Sequence, residues 1–289
     1  LSYLAGGWGA EAQLFEERIT RGRKTIGNHD GARTSFNGNP SFMVSLDGPA
    51  KENAGNVLGG TLAYTGNYDI SFVKNGNANH LEITAGINHE LSQYKLDPKK
   101  AFTTPDFIFT YSTEGKGGVS RNLHRWGRKY QIIGGTDTRD ILLNSWEGVY
   151  FKVNQEGMNK MMQDFASIGG ELFVMDDGWF GDKYPRNDGT SSLGDWVVCK
   201  EKLPEGIDAL IDEAERNGIK FGIWIEPEMT NTKSELYEKH PDWVLRQPDR
   251  EPFKGRGETQ LVLDLCNPKV QDHVFNVVDN LMQAHPRIH

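Results

Sequence analysis

Glu171-Leu-Phe-Val-Met-Asp176-Asp177-Gly178-Trp179-Phe180-Gly181 is the stretch that decides the fold of this sequence. Its four apolar residues, Leu172 to Met175, are too few for a helix and show no alternation. This is typical of a strand buried on both faces of a parallel sheet. The run ends at two carboxylates, a glycine and two aromatic residues. In open α/β sheets and (β/α)8 barrels, ligands bind at this carboxyl end of the strands.

The side chains that follow this strand suit a sugar-binding site. Asp176 and Asp177 supply hydrogen-bond acceptors for hydroxyl groups, and Trp179 offers a flat apolar face. Gly178 allows the backbone to approach a ligand closely. The alternative is an acidic loop whose aspartates cap the next helix.

Composition limits the classes of partner. The 289 residues carry a net charge of -8, with 37% apolar and 25% charged residues, as in a soluble protein with a substantial core. No block of Lys and Arg offsets the negative charge, which argues against nucleic acid and anionic membranes. The sequence has no apolar run of membrane-spanning length and no basic start typical of a signal peptide. Because the first residue is not Met, we expect a piece of a longer protein.

Cysteine and histidine usage indicates neither a metal site nor a disulfide framework. Cys199 and Cys266 lack the close Cys or His spacing of a zinc site, and two cysteines are too few for a disulfide scaffold. This usage favours a reducing compartment and hence a cytoplasmic location, with secretion left open. The histidines are scattered and no phosphate-binding loop is present, so no cofactor is expected.

Residues 1–138 are predicted to form an antiparallel β-sandwich. Apolar and polar residues alternate in most of five segments, which are separated by Gly- and Asn-containing turns: 41–46, 61–64, 68–73, 80–87 and 107–112. Thr65-Gly-Asn-Tyr68 is predicted as a hairpin with a two-residue loop. Residues 31–40 are predicted as a polar loop, solvated or in contact with another subunit. A short helix from Ser120, ended by Gly134-Gly135, connects this domain to the next.

Residues 139–289 are predicted to form three βα units in series. Strands at 142–146, 172–175 and 221–225 alternate with amphipathic helices. The first helix carries a stripe of core residues: Met158, Met161, Met162, Phe165 and Ile168. The third follows Asn267-Pro268 and carries a stripe predicted to be buried: Val270, Val274, Val277, Val278 and Leu281.

Strand-helix units of this kind build either a doubly wound sheet or a (β/α)8 barrel. A barrel takes about 250 residues, and only about 150 follow the sandwich. The barrel interpretation therefore implies a truncated chain. The loop from Gly178 to Pro204 is longer than ordinary βα connections, which favours a functional role for it.

The carboxylates of this sequence make poor catalytic pairs for glycoside hydrolysis. A retaining enzyme needs two carboxyl groups about 5 to 5.5 Å apart that flank the scissile bond. Asp176 and Asp177 are adjacent and leave a strand end in opposite directions, although they can grip different hydroxyls. Glu226 and Glu228 lie two apart, on roughly one side of the chain. Either glutamate also suits a structural ion pair with a barrel Arg or Lys.

Seven segments give the second half of the chain a specific resemblance. Their order resembles that in α-galactosidases of glycoside hydrolase family 36, whose sandwich-before-barrel arrangement also agrees with the predicted domains. The segments are Asn144-Ser-Trp-Glu147, Phe173-Val-Met-Asp-Asp-Gly-Trp-Phe-Gly181, Ser192-Leu-Gly-Asp-Trp196, Glu201-Lys-Leu-Pro-Glu-Gly206, Trp224-Ile-Glu-Pro-Glu-Met229, His240-Pro-Asp-Trp-Val244 and Leu263-Asp-Leu-Cys-Asn-Pro268.

This resemblance implies an enzyme that hydrolyses terminal α-linked galactose, with retention, from oligosaccharides such as melibiose and raffinose. Asp176 and Asp177 match the aspartates that bind the O4 and O6 hydroxyls of galactose. Trp224 and Arg256 match further pocket positions, and Trp146 matches an aromatic residue at the pocket mouth. The implied partners are α-galactoside oligosaccharides, and a homo-oligomer is a further expectation for the full-length parent.

The sequence departs from the family at the catalytic residues. The family's nucleophile lies in a Lys-Trp-Asp motif at the end of the fourth barrel strand, and its acid/base Asp lies near the end of the sixth. No Lys-Trp-Asp occurs here, and the sequence stops at His289, where the fourth strand is expected. The resemblance therefore implies a fragment, inactive alone, whose catalytic carboxylates lie beyond His289.

Three other functions stay open. A non-catalytic galactose-binding module would explain the missing carboxylates without truncation. An α-N-acetylgalactosaminidase, or a galactosyl-transferring enzyme such as a raffinose synthase, would use a similar pocket.

Overall fold

The computed structural model describes residues 1–7, 9–29, 38–76, 80–90, 93–255 and 257–289. The chain divides into two compact units, Leu1–Asp137 and Thr138–His289. Most of the polar loop predicted at 31–40 lies outside the described residues, and its last three positions belong to a strand. Among the described residues, no helix has the length and apolar character needed to cross a membrane.

Two antiparallel β-sheets form most of the first unit. The strands are β1 (Ser2–Ala5), β2 (Gln13–Glu16), β3 (Gly22–Asn28), β4 (Gly38–Ser45), β5 (Val57–Ala63), β6 (Tyr68–Lys74), β7 (Leu81–Ile87) and β8 (Asp106–Ser112). One sheet has the order β2-β1-β4-β5-β8, and the other has the order β3-β6-β7.

The two sheets pack face to face around one hydrophobic core. Along β6, buried residues alternate with less buried ones, as expected for a strand with one face against a core. Phe42 of β4 packs edge-on against Phe72 of β6, with 4.9 Å between the ring centroids. Leu62 of β5 and Ile26 of β3 join the same cluster. These contacts confirm the predicted antiparallel sandwich.

The hairpin predicted at Thr65–Tyr68 is wrong. β5 pairs with β4 and β8, whereas β6 pairs with β3 and β7, so the turn carries the chain from one sheet to the other. The Gly-Asn pair allows the chain to reverse direction tightly. Which sheet each strand joins is decided by where its apolar face becomes buried. The sequence also fails to predict β1 and β2, which have four residues each, and every residue of β2 is exposed.

A helix, α1 (Gly115–Tyr130), follows the sandwich and begins earlier than the predicted start at Ser120. Its first turn contains three buried glycines. Because glycine has a low helix propensity, the sequence does not predict this turn as helical. The helix approaches β5 so closely that a Cβ atom at Gly59 would lie 2.1 Å from Val119 Cγ1. A residue without a side chain is therefore needed where the helix crosses the strand.

The second unit is built on a parallel sheet. Its elements are β9 (Leu142–Asn144), α2 (Trp146–Val149), α3 (Gln155–Ser167), β10 (Leu172–Met175), α4 (Gly206–Arg216), β11 (Lys220–Ile223), β12 (Met229–Asn231), α5 (Glu235–Lys239), a 3-10 turn (Pro241–Trp243), β13 (Gln260–Val262) and α6 (Pro268–Ala284). β10 is the central strand, with β9 and β11 parallel to it on either side. This confirms the predicted α/β portion.

Between β11 and α6 lies a segment that the sequence does not predict as regular structure. β12 and β13 pair as an antiparallel ribbon, and α5 has five residues. Each element is too short to give a periodic pattern. A small separate core of apolar side chains packs around this ribbon: Leu236, Val244, Leu261, Leu263 and Val270.

The helix stripes are buried only in part. Met158 and Met162 of α3 are fully buried, as predicted, whereas Ile168 is 82% exposed. Asn267 caps α6 as predicted, accepting a hydrogen bond from Lys269 N (3.0 Å). The stripe predicted to be buried along α6 is buried only in part: Val270 is fully buried, Val274 and Leu281 are half-buried against core residues, and Val278 is 40% exposed. Spacing predicts an apolar face, but burial requires a neighbour to cover it, and the three-stranded sheet is narrow.

Gly59→Ala should lower the free energy of unfolding of the first unit by about 1 to 3 kcal/mol, because the added methyl group meets a fully buried Val119. Urea denaturation followed by circular dichroism measures this. Gly86→Ala in β7 is the matched control, since a Cβ atom there has nothing within 4 Å. We expect the control to change stability by less than about 0.5 kcal/mol. Equal losses in the two variants would contradict the packing described here.

Candidate functional site

The carboxyl ends of β9, β10 and β11 meet at one edge of the parallel sheet. They carry Asn144, Asp176 and Trp224, respectively. Trp224 N donates a hydrogen bond to Met175 O (2.8 Å), so the end of β11 stays in register with the end of β10. The sheet thereby gathers polar and aromatic side chains from three separate βα units, as strand ends in such sheets do.

Asp176 is held by the neighbouring strand end. Its backbone N–H donates to Ser145 Oγ (2.9 Å), and its carboxylate accepts hydrogen bonds from Asn144 Nδ2 (2.5 Å) and Asp177 N (2.6 Å). The residue is half-buried. These hydrogen bonds fix Asp176 in position. Because each carboxylate oxygen has two acceptor sites, Asp176 can still accept a hydrogen bond from a ligand hydroxyl.

Asp177 is engaged differently, in a buried ion pair with Arg186. Arg186 Nε donates to one carboxylate oxygen (2.9 Å) and Nη2 donates to the other (2.8 Å). Arg186 is 1% exposed and Asp177 is 6% exposed. A bidentate pair of this kind fixes both orientation and distance. The two adjacent aspartates therefore have distinct environments, one half-open and one enclosed.

Lys202 fastens the loops around this ion pair. Its Nζ donates to three backbone carbonyls: Phe151 O (2.8 Å), Gly178 O (2.8 Å) and Arg186 O (2.7 Å). Burial lowers the pKa of the Lys202 ammonium, and the nearby Cys199 and Asp177 oppose that shift. One ammonium group thus uses all three of its donors to join three segments of the chain.

Two tryptophans at this edge are half-buried, and a third is fully buried. Trp224 is half-buried and meets Trp196 edge-on, with 6.0 Å between centroids. Trp146 is also half-buried and packs edge-on against Phe151 at 5.0 Å. Trp179 is fully buried, and its indole N–H donates to Trp224 O (3.0 Å). The expectation that Trp179 offers a flat face to a ligand is therefore wrong, because its ring belongs to the core.

Four of the five predicted site residues lie at this edge. Asn144 links two of them, since its Oδ1 accepts from Trp146 N (2.7 Å) while its Nδ2 donates to Asp176. Asp177 follows Asp176 directly, and Trp224 lies at the neighbouring strand end. Arg256 lies outside the described residues.

Sequence reasoning missed three residues that shape this site: Asn144, Arg186 and Lys202. Asn144 and Lys202 lie within two of the segments that carry the family resemblance. Those segments point to this part of the chain, but they do not show which atoms the two side chains contact. Arg186 lies in the long loop between β10 and α4 and had no signal in the sequence beyond its charge. Among the described residues, no group of three or more His, Cys, Asp and Glu side chains is placed to hold a metal ion.

Two family models together match nearly the whole chain. The Melibiase model matches residues 101–288, and the model of the glycosyl hydrolase family 36 N-terminal domain matches residues 1–97. The chain belongs to glycosyl hydrolase family 36. This confirms the resemblance drawn from the seven sequence segments.

Relatives of this family 36 chain are considerably longer. A probable α-galactosidase C from Aspergillus flavus is 35% identical over 97% of this chain and 38% of its own length. The α-galactosidase AgaA from Geobacillus stearothermophilus is 36% identical over 98% of this chain and 38% of its own length. The crystal structure of AgaA superposes with a TM-score of 0.92, covering 99% of this chain and 39% of AgaA. Other AgaA crystal structures contain stachyose or raffinose. The family 36 chain thus spans about two fifths of these relatives.

In this family 36 chain, Lys202→Met should lower the free energy of unfolding of the second unit by about 2 to 4 kcal/mol, because three partly buried carbonyls lose a charged donor. Chemical denaturation measures the loss. Lys200→Met is the matched control, since Lys200 is exposed, and we expect it to change stability by less than about 0.5 kcal/mol. A Lys202 variant as stable as the Lys200 variant would show that the three hydrogen bonds do not hold the loops.

Proposed function

We propose that the protein containing this chain is a retaining α-galactosidase, and that this chain supplies part of its galactose-binding pocket. The observation that carries the proposal is the half-buried Asp176 carboxylate at the end of the central strand, held by Asn144 and accompanied by Trp224. Membership of family 36 gives the reaction class. A fixed carboxylate next to half-buried aromatic rings suits a sugar, which presents hydroxyl groups on its edges and apolar C–H groups on its faces.

The proposed substrates are α-galactoside oligosaccharides. AgaA shares the fold over nearly all of this chain, and variants of AgaA have been crystallised with stachyose and with raffinose. Among the residues of this chain, we assign hydroxyl binding to Asp176 and to Asp177, whose oxygens each keep a second acceptor site beside Arg186. We assign further pocket positions to Trp224 and Arg256 and the pocket mouth to Trp146. These assignments rest on the family resemblance together with the placement of four of the five residues at the strand ends.

We assign the bond-breaking carboxylates to residues outside this chain. Retaining hydrolysis requires a nucleophile and an acid/base about 5 to 5.5 Å apart on either side of the scissile bond. Both oxygens of Asp177 accept hydrogen bonds from Arg186, and Asp176 is its immediate neighbour on the same strand end. The Lys-Trp-Asp segment that carries the nucleophile in the resembling family is absent from this sequence.

The purified 289-residue chain should not hydrolyse p-nitrophenyl α-D-galactopyranoside, because an enzyme without its nucleophile has no route to a covalent glycosyl intermediate. Release of nitrophenolate measures the activity. The positive control is the protein expressed at the full length that its gene encodes. We expect that protein to be active, and to lose activity by about 100-fold or more when Asp176 is changed to Asn.

Two outcomes would contradict this proposal. Turnover by the 289-residue chain comparable to that of the full-length protein, and abolished by Asp176→Asn or Glu226→Gln, would place the catalytic groups within the chain. A full-length protein that binds galactose but hydrolyses no α-galactoside would favour the alternative of a binding module.

A further inference from the structure

Among the residues that the structure describes, Arg186 is the most completely enclosed charged side chain. Each of its three nitrogens donates at least one hydrogen bond. Nε and Nη2 bind the two oxygens of Asp177, and Nη1 donates to Ser191 O (2.7 Å) and Asn231 Oδ1 (2.9 Å). With 1% of its surface exposed, the side chain is held without any contribution from a ligand.

Aromatic rings and Lys202 also fix the position of this guanidinium. Its central carbon lies 5.3 Å from the ring centroid of Phe151 and 5.6 Å from that of Phe180, within the range of a cation–π contact. Lys202 Nζ binds the carbonyl oxygens of both Arg186 and Phe151. Because Phe151 packs against Trp146, the arginine is joined to the first strand end as well as to the second.

Asn231 extends this connection to the β12–β13 ribbon. Its Oδ1 accepts from Arg186 and from Leu193 N (2.9 Å), and its Nδ2 donates to Gly189 O and Thr259 O, each at 3.1 Å. Asn231 is fully buried at the end of β12. Thr259 directly precedes β13, and the sequence between the two strands contains Arg256.

We propose that Arg186 is a positioning residue of the galactoside site. It does not touch the sugar, since it makes four hydrogen bonds inside the protein and only 1% of its surface is exposed. Instead it holds Asp177, fixes the adjacent Asp176 through the shared strand end, and ties both to the ribbon through Asn231. The planar fork of an arginine is required for this role, because a lysine cannot bind two carboxylate oxygens and an amide oxygen from one rigid plane. The proposal rests on the function proposed above.

Steady-state kinetics and inhibitor binding test this role in the full-length protein. For Arg186→Lys, which keeps the charge, we expect KM for p-nitrophenyl α-D-galactopyranoside and Kd for 1-deoxygalactonojirimycin to rise about 10-fold, with kcat lowered less than about 3-fold. Calorimetry gives Kd, and a melting curve confirms that the variant is folded. Arg216→Lys is the control, since Arg216 pairs with Glu213 on α4, and we expect its KM and Kd to match the wild type. An Arg186→Lys variant within about 2-fold of wild type in both constants would overturn the proposal.

A double-mutant cycle with Asp177 provides a second test and a fallback if Arg186→Lys fails to fold. Replacing both partners, Arg186→Met with Asp177→Asn, leaves no unpaired buried charge. If Arg186 acts through Asp177, the double variant should bind the inhibitor within about 3-fold of Asp177→Asn alone. A further 10-fold loss in the double variant would mean that Arg186 acts independently of Asp177, contrary to the proposal.

The wild-type protein separates this proposal from the proposed function. A wild type that binds 1-deoxygalactonojirimycin without hydrolysing any α-galactoside overturns the proposed function, while Kd still tests Arg186. A wild type that neither binds nor hydrolyses overturns both.

Discussion

A carboxylate removed from water must be neutralised by its surroundings. In the second unit this applies to the buried Asp177, and several segments of the chain contribute to its neutralisation. The strand that leads to it is hydrogen-bonded on both sides, so its end cannot move to let Asp177 reach solvent. Arg186 neutralises the Asp177 carboxylate. Because Arg186 is itself buried, its remaining donors require acceptors, which Ser191 O and Asn231 Oδ1 supply. Loss of one partner of such a pair typically costs about 3 to 5 kcal/mol. The long loop between β10 and α4 is therefore held by this ion pair together with fully buried apolar side chains such as Phe180 and Leu193.

This constraint explains why two adjacent aspartates differ in their surroundings. Successive side chains of an extended strand point to opposite sides, so residues 176 and 177 enter separate environments. Asp176 turns to the neighbouring strand end, where Asn144 and Ser145 hold it in a half-open position. Asp177 turns into the loop and is enclosed. A pair of identical residues thus yields one half-open carboxylate and one enclosed carboxylate whose position is fixed by its ion pair with Arg186.

Strand and helix patterns in the sequence predicted most of the fold. Their predictions failed where burial depends on packing partners that are distant in sequence. The run at 172–175 and the Asn267-Pro268 cap depend on local chemistry, and both were found from sequence. The sheet that receives Tyr68, the partial exposure of the α6 stripe and the early start of α1 depend on packing between elements, and local sequence does not encode them.

The candidate site follows the same division. Asp176, Asp177, Trp224 and Trp146 stand next to strand ends, where both position in the chain and family resemblance mark them. Arg186 and Lys202 were missed because their contacts join segments whose separation in sequence has no fixed pattern. Trp179 was misjudged for a related reason, since a tryptophan beside two aspartates suits a ligand face or a core equally well. Only the contact with Trp224 O and the absence of exposed surface separate these two roles.

The long-range hydrogen bonds of Lys202 also have a consequence for how this region folds. Its three carbonyl partners lie 51, 24 and 16 positions away along the chain, so its bonds form only after several long loops have closed. Contacts between distant segments carry the largest entropic cost of closure and form slowly. The parallel strands close loops of similar length, since Leu172 pairs with Leu142 and with Lys220, 30 and 48 positions away. The sheet and the Lys202 hydrogen bonds therefore have similar entropic costs of closure. A ribosome-bound chain would gain its binding edge only after β11 has emerged, together with the sheet that carries it.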